Sequence, residues 1–124
     1  MKNFKNKNIF QSIRCAANGI KECYKTERNF GEYTVIAAFM LFLNIILKCA
    51  VWEYIVFMAL VMGVFSAEFL NTAIERVIDT YDNTISEKNR FIKDTAAGGV
   101  LILSIAFFIS EALILIPKAV ALLK

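Results

Sequence analysis

Glu68, Glu75 and Asp79 follow one another at intervals of seven and four residues. At 100° per residue they fall within about 20° of one line along a helix, with Asn71 about 60° to one side. They close a segment that is otherwise uncharged and apolar. Ionisable groups in or beside a bilayer are costly, so a row of them on one face marks a functional site. With Lys93 nearby in sequence, such a row suits two chemistries. One is magnesium-dependent phosphoryl transfer, in which the metal takes oxygen ligands from one or two carboxylates and from phosphate. That reaction needs positioning and charge neutralisation more than covalent help. Glu75 and a second carboxylate would hold the metal and Lys93 would neutralise phosphate. Glu68, about 10.5 Å deeper along the helix, would accept the proton of an alcohol held in the membrane. The second chemistry is ion translocation by a helix-borne glutamate, for which Glu68 alone suffices. A third reading makes Glu75, Arg76 and Asp79 the solvated extension of a helix in a non-catalytic membrane subunit. Residue pattern alone leaves all three open.

Other classes are set aside by what the chain lacks. There is no Gly-rich phosphate loop of either common spacing, and no histidine to complete a hydrolase triad. Cys15, Cys23 and Cys49 have no metal-ligand spacing, so a zinc or haem site is not expected. The net charge of +3 comes with no basic stripe interleaved with aromatics, and no nucleic-acid partner is expected.

The elements that must position the acidic row are membrane helices. The chain is 58% hydrophobic, above the roughly 45–50% of soluble domains, with a mean hydropathy of +0.57. Three apolar runs carry the excess, and each is near the ~20 residues needed to cross a bilayer. They predict spans at about 33–51, 54–72 and 96–117, with the second helix continuing past the membrane edge to about Tyr81. Ahead of them Ile9, Ile13, Ala16, Ile20 and Tyr24 recur at helical spacing, while Arg14, Asn18, Lys21 and Lys25 fill the other face. The spacing predicts an amphipathic helix over 9–25, too polar to span and suited to lie in the interface. Thr26 to Phe30 turns the chain into the first span. A few residues around Ala50 to Glu53 make a tight hairpin, and Asp82-Asn83-Thr84 turns into a short helical stretch from Ser86 to Lys93-Asp94. Ala96 to Gly99 would let a neighbouring helix approach closely, and Pro117 ends the last apolar run. The whole is expected to be an all-α membrane protein: an N-terminal interfacial helix and three transmembrane helices in one domain, 1–124. Lys48 and Glu111 interrupt the apolar runs and read as interfacial or inter-subunit polar residues.

Charge gives the orientation. Seven of the fourteen basic residues lie in residues 1–32, and the loop after the second span adds Arg76, Lys88, Arg90 and Lys93. Positive-inside counting therefore places the N-terminus and the 76–95 loop in the cytoplasm. The acidic row then faces the compartment that holds nucleotides.

The pattern Glu68-x-x-Asn71-Thr72-Ala73-Ile74-Glu75-x-x-x-Asp79, followed by Lys93-Asp94 and Ala96-Ala97-Gly98-Gly99-Val100-Leu101, closely resembles the signature of the small prokaryotic diacylglycerol kinase family. The resemblance extends over nearly the whole chain, including Asn18-Gly19-Ile20 and the turn at Glu27. It implies a homotrimeric, three-span lipid kinase of the bacterial cell membrane, with sites composed between subunits. By the same resemblance Glu68 is the general base that meets the lipid hydroxyl, and Glu27 and Glu75 are magnesium ligands. Asn71 orders the site, and Lys93 and Asp94 contact ATP, with Glu27, Asn71 and Glu75 also on the nucleotide side. The turn Glu27-Arg28-Asn29-Phe30 is similar to the Glu-Arg-Asn of the undecaprenol kinase branch, whereas the diacylglycerol branch carries Glu-Ala-Ala or Ala-Phe there. Undecaprenol is therefore the expected substrate and diacylglycerol the alternative. Thr84-Ile85-Ser86 departs from the family's usual Glu-Tyr-His, so loop contacts to ATP do not carry over.

Overall fold

The computed structural model describes residues 8–82, 84 and 86–123. The lysine- and asparagine-rich start and the turn positions Asn83 and Ile85 fall partly or wholly outside them. The described residues form four helices: α1 (Ile9–Thr26), α2 (Arg28–Ile46), α3 (Val51–Tyr81) and α4 (Glu87–Leu122). Among the described residues there is no strand. The last three helices are long and apolar enough to cross a membrane, and the chain is an all-α membrane protein.

The Asn8 side chain caps α1 by accepting the Gln11 N–H at 2.9 Å, which satisfies one of the amides a helix start leaves free. No residue of α1 is buried, and Ile9, Phe10 and Ile13 stand open along its apolar stripe. Such a stripe suits the boundary between headgroups and acyl chains. At its far end α1 is tied to α2 by the Tyr24 hydroxyl and Thr34 Oγ1 at 2.8 Å, and by the Tyr24 and Phe30 rings at 5.4 Å.

The turn into α2 is a single residue. Glu27 alone leaves the helical region (φ −115°, ψ 117°), closing α1 and opening α2 at once. The helix therefore begins five residues ahead of the apolar run that announced it, because polar Arg28 and Asn29 can be helical outside lipid. At the other end the Cys49 N–H bonds the Asn44 carbonyl and the Lys48 N–H bonds the Ile45 carbonyl, with Lys48 at φ 50°. This is a Schellman closure with lysine in the left-handed position that glycine usually fills. Lys48 is thus part of the hairpin that turns α2 into α3. The Glu53 carboxylate then accepts the Ala50 N–H at the start of α3, and Glu53 pairs with Lys118 of α4 at 2.9 Å.

α3 and α4 form the main antiparallel pair, and α2 leans against it. Phe57, Val64 and Phe107 make the buried centre, with Tyr33 and Met40 of α2 packed on it. The 31 residues of α3 span about 46 Å, more than the ~30 Å of a hydrocarbon core. The stretch after Ser86 and the third apolar run are one unbroken helix of 36 residues. Ser86 caps it by accepting the Asn89 N–H at 3.1 Å. Pro117 does not end α4, which continues to Leu122. A proline inside a membrane helix removes one backbone bond without stopping the helix where neighbouring helices hold both sides. Among the described residues no other helix comes within 4 Å of where a Cβ on Gly98 or Gly99 would stand, so the approach they offer is not used there.

Glu111 has a partner within the chain, although its Oε1 is buried with none among the described residues. Its Oε2 accepts from Asn44 Nδ2 at 2.7 Å, with Asn44 fully buried and Glu111 1% exposed. A lone carboxyl in the bundle is costly, and the pairing with Asn44 ties α2 to α4 at the end away from the acidic row.

Candidate active site

The acidic row of α3 opens onto a cleft of about 430 Å³ between α2 and the α3–α4 pair. Four of its polar groups gather at one end, Asn29 on α2 and Glu68, Asn71 and Glu75 on α3, while Tyr33 and Ser104 also line it. The rest of the lining is mostly apolar, with Val61, Val64, Val100 and Phe107 among its walls. From Glu75 to Val61 is fourteen residues of α3, about 21 Å. The cleft thus has the polarity profile of an amphiphile, with a headgroup end and a tail end.

Glu68 is only 3% exposed at the junction of the two ends. Its Oε1 accepts from Asn29 Nδ2 at 2.9 Å. One turn on, Asn71 donates Nδ2 to Glu75 Oε1 at 3.0 Å. The carboxamide oxygen of Asn71 is then buried with no partner. A buried acceptor left unsatisfied is costly, and this one lies beside a carboxylate in a cleft. The pair offers oxygen atoms only, which is the donor chemistry a magnesium ion prefers.

The remaining residues singled out from the sequence lie outside this lining. Glu27 accepts from Arg76 Nη2 at 3.2 Å, and the same guanidinium bonds the Thr26 hydroxyl. Lys93 of α4 pairs with Asp79 of α3, and Asp94 lies 3.5 Å from Arg90 on the exposed face of α4. Among the described residues no three carboxylate, cysteine or histidine side chains are close enough to share a metal ion. The loop between α3 and α4 is held by Asp82. It accepts from the Thr84 N–H at 3.1 Å and from Asn89 Nδ2 at 2.9 Å, besides the Thr84 hydroxyl. Those donors, Thr84 first and then Asn89, hold the Asp82 carboxyl below the usual aspartate range.

Three features escape the helix wheel. Asp79 shares the row of Glu68 and Glu75, yet its partner is a lysine on another helix. Arg76 pins the α1–α2 junction to α3. Asn29 reaches Glu68 from a position that, in sequence, looks like part of a turn. The one available signal was an amide side chain at the polar start of an apolar helix.

Three membrane-length helices around a cleft with carboxylates at one end and mostly apolar walls beyond define a small integral membrane protein. Residues 14–115 match the prokaryotic diacylglycerol kinase family, and the chain belongs to that family of lipid kinases. It is 34% identical over 110 residues to the undecaprenol kinase of Bacillus subtilis, an alignment that covers 89% of each chain. It is 35% identical over 123 residues to a diacylglycerol kinase of Synechocystis, covering 94% of this chain and 67% of the other. No solved structure matches. Family membership makes the protein a lipid kinase, with ATP as the phosphoryl donor that a kinase family implies.

Proposed function

We propose that this protein phosphorylates a membrane-embedded lipid alcohol, undecaprenol first and diacylglycerol second, using ATP and magnesium. The observation that carries the reading is the nearly buried Glu68 at the point where the polar and apolar ends of the cleft meet. A long lipid lying in the apolar end presents its hydroxyl to Glu68. The lipid oxygen attacks the γ-phosphorus, its proton passes to Glu68 Oε2, the bond to the bridging oxygen breaks, and ADP leaves. Undecaprenol is favoured by the Bacillus relative and by Glu27-Arg28-Asn29-Phe30; the Synechocystis relative supports diacylglycerol.

Magnesium, when bound, neutralises phosphate charge. Glu75 and Glu27 are its ligands in this reading, and the free Asn71 oxygen lies beside Glu75. Lys93 and Asp94 meet ATP, with Asp79 holding Lys93 in place. Glu27 and Glu75 have separate partners within one chain. The uncovered Gly98–Gly99 face of α4 supports a homotrimer, the sites of which we take to be completed between subunits. We further take 1–124 as one lipid kinase domain of the bacterial cell membrane. Its N-terminus and site are cytoplasmic, on the strength of the basic residues around both.

Purified protein given labelled ATP and magnesium with undecaprenol or diacylglycerol should yield labelled lipid phosphate, more from undecaprenol. No labelled lipid from either alcohol would overturn the reading. Glu75→Gln should raise the magnesium requirement and the KM for ATP together, by about tenfold or more, as loss of a charged ligand implies. An unchanged magnesium titration would remove Glu75 as a ligand.

A further inference from the structure

We infer that Asn29 is a positioning residue for Glu68, a role that rests on the reading of Glu68 as the base. The Asn29 amide is the one protein group bonded to the Glu68 carboxylate among the described residues, at 2.9 Å on Oε1. A carboxylate this buried gains more from a single donor than an exposed one, because little water competes for it. The bond also selects an oxygen. With Oε1 occupied, Oε2 is the atom left to accept from a lipid hydroxyl, and the rotamer of Glu68 is fixed across the cleft.

The placement of Asn29 is built into the packing. Its neighbour Phe30 is fully buried and stacks on Phe69, the neighbour of Glu68, at 4.4 Å. Two adjacent residues of α2 thus meet two adjacent residues of α3, one pair through rings and the other through a hydrogen bond. Higher on α3, Arg76 holds Thr26 and Glu27. The short junction from Thr26 to Phe30 is therefore docked on α3 at both ends. Asn29 faces the cleft from it, two residues after the carboxylate assigned above to magnesium.

Aspartate at this position would keep the shape, lose the donor and set a second carboxylate against Glu68. Glutamine would keep the amide on a longer stem. With ATP and magnesium saturating, Asn29→Ala should lower kcat for lipid phosphorylation by about 10- to 100-fold, the scale of a hydrogen bond to a charged group. The KM for ATP should stay within about twofold of the parent. Asn29→Asp should lose at least as much and Asn29→Gln less. Because Asn29 acts through Glu68, adding Asn29→Ala to Glu68→Gln should change the residual rate by less than about threefold. An Asn29→Ala enzyme with kcat within twofold of the parent would overturn the inference. So would Asn29→Asp as active as Asn29→Gln, or an equal loss from Asn29→Ala in both backgrounds, which is the mark of a purely structural residue. If Glu68→Gln itself keeps full turnover, the base reading fails first and this role falls with it. That result is distinct from a dead Glu68→Gln beside a fully active Asn29→Ala.

Discussion

Glu68→Gln is expected to lower kcat about 100- to 10,000-fold, the range that general-base help supplies. The change is nearly isosteric. The glutamine carbonyl can still accept the Asn29 amide in place of Glu68 Oε1, and a neutral amide is cheaper to bury than a carboxylate. The protein should therefore remain folded, with thermal stability in detergent at or above that of the parent. In the proposed reaction, what is lost is the capacity to take up a proton as the lipid oxygen attacks phosphorus. The loss belongs in kcat and not in the KM for ATP, because Glu68 lies about two helical turns deeper along the cleft than Glu75, which the proposed reading assigns to the nucleotide side. Rates measured with labelled ATP at saturating lipid test this directly. Near-full turnover would show that Glu68 is not the base.

Phe30→Ala is expected to cost about 3 kcal/mol of stability, the low end of the range for truncating a buried phenylalanine. Phe30 is fully buried and contacts three rings: Phe69 at 4.4 Å, Tyr24 at 5.4 Å and Phe65 at 6.3 Å. The low end applies because a membrane helix that comes loose still has lipid around it, so part of the hydrophobic term drops out. The lost contacts and the cavity remain. Those contacts hold the α1–α2 junction on α3, so kcat should fall as well through a displaced Asn29. Phe30→Leu, which refills most of the space, should recover the greater part of both. Unfolding in detergent gives the first quantity and lipid phosphorylation the second. A Phe30→Ala protein within about 0.5 kcal/mol of the parent, inside the range of ordinary surface changes, would mean that the ring stack does not hold the junction.

The sequence by itself determined whatever depends on neighbours a few residues away. Helical periodicity and apolar run length define the all-helical membrane class and the three long apolar helices. They also carry α3 out to Tyr81, because a polar face continues its period past the apolar run. The same local geometry puts Glu68, Asn71 and Glu75 on one side, where they line one cleft. The motif they form was enough to recognise the family. Helix ends were less legible. The break at Glu27 is one residue wide, α4 is continuous from Glu87, and Pro117 lies within it. Each of these depends on capping groups and neighbouring helices that hydropathy does not register.

Only the tertiary structure decided the partners. Asn29 meets Glu68, Arg76 meets Glu27, Lys93 meets Asp79 and Asn44 meets Glu111. A helix wheel ranks side chains by the direction they point. It holds no information on which residue of another helix arrives opposite them, or at what height. That register is set by the packing of large side chains such as Phe30 on Phe69 and Phe57 on Phe107. For this reason Asp79 looked like a third member of the acidic row until α4 brought Lys93 to it. For the same reason Asn29 looked like part of a turn until α2 settled beside Glu68.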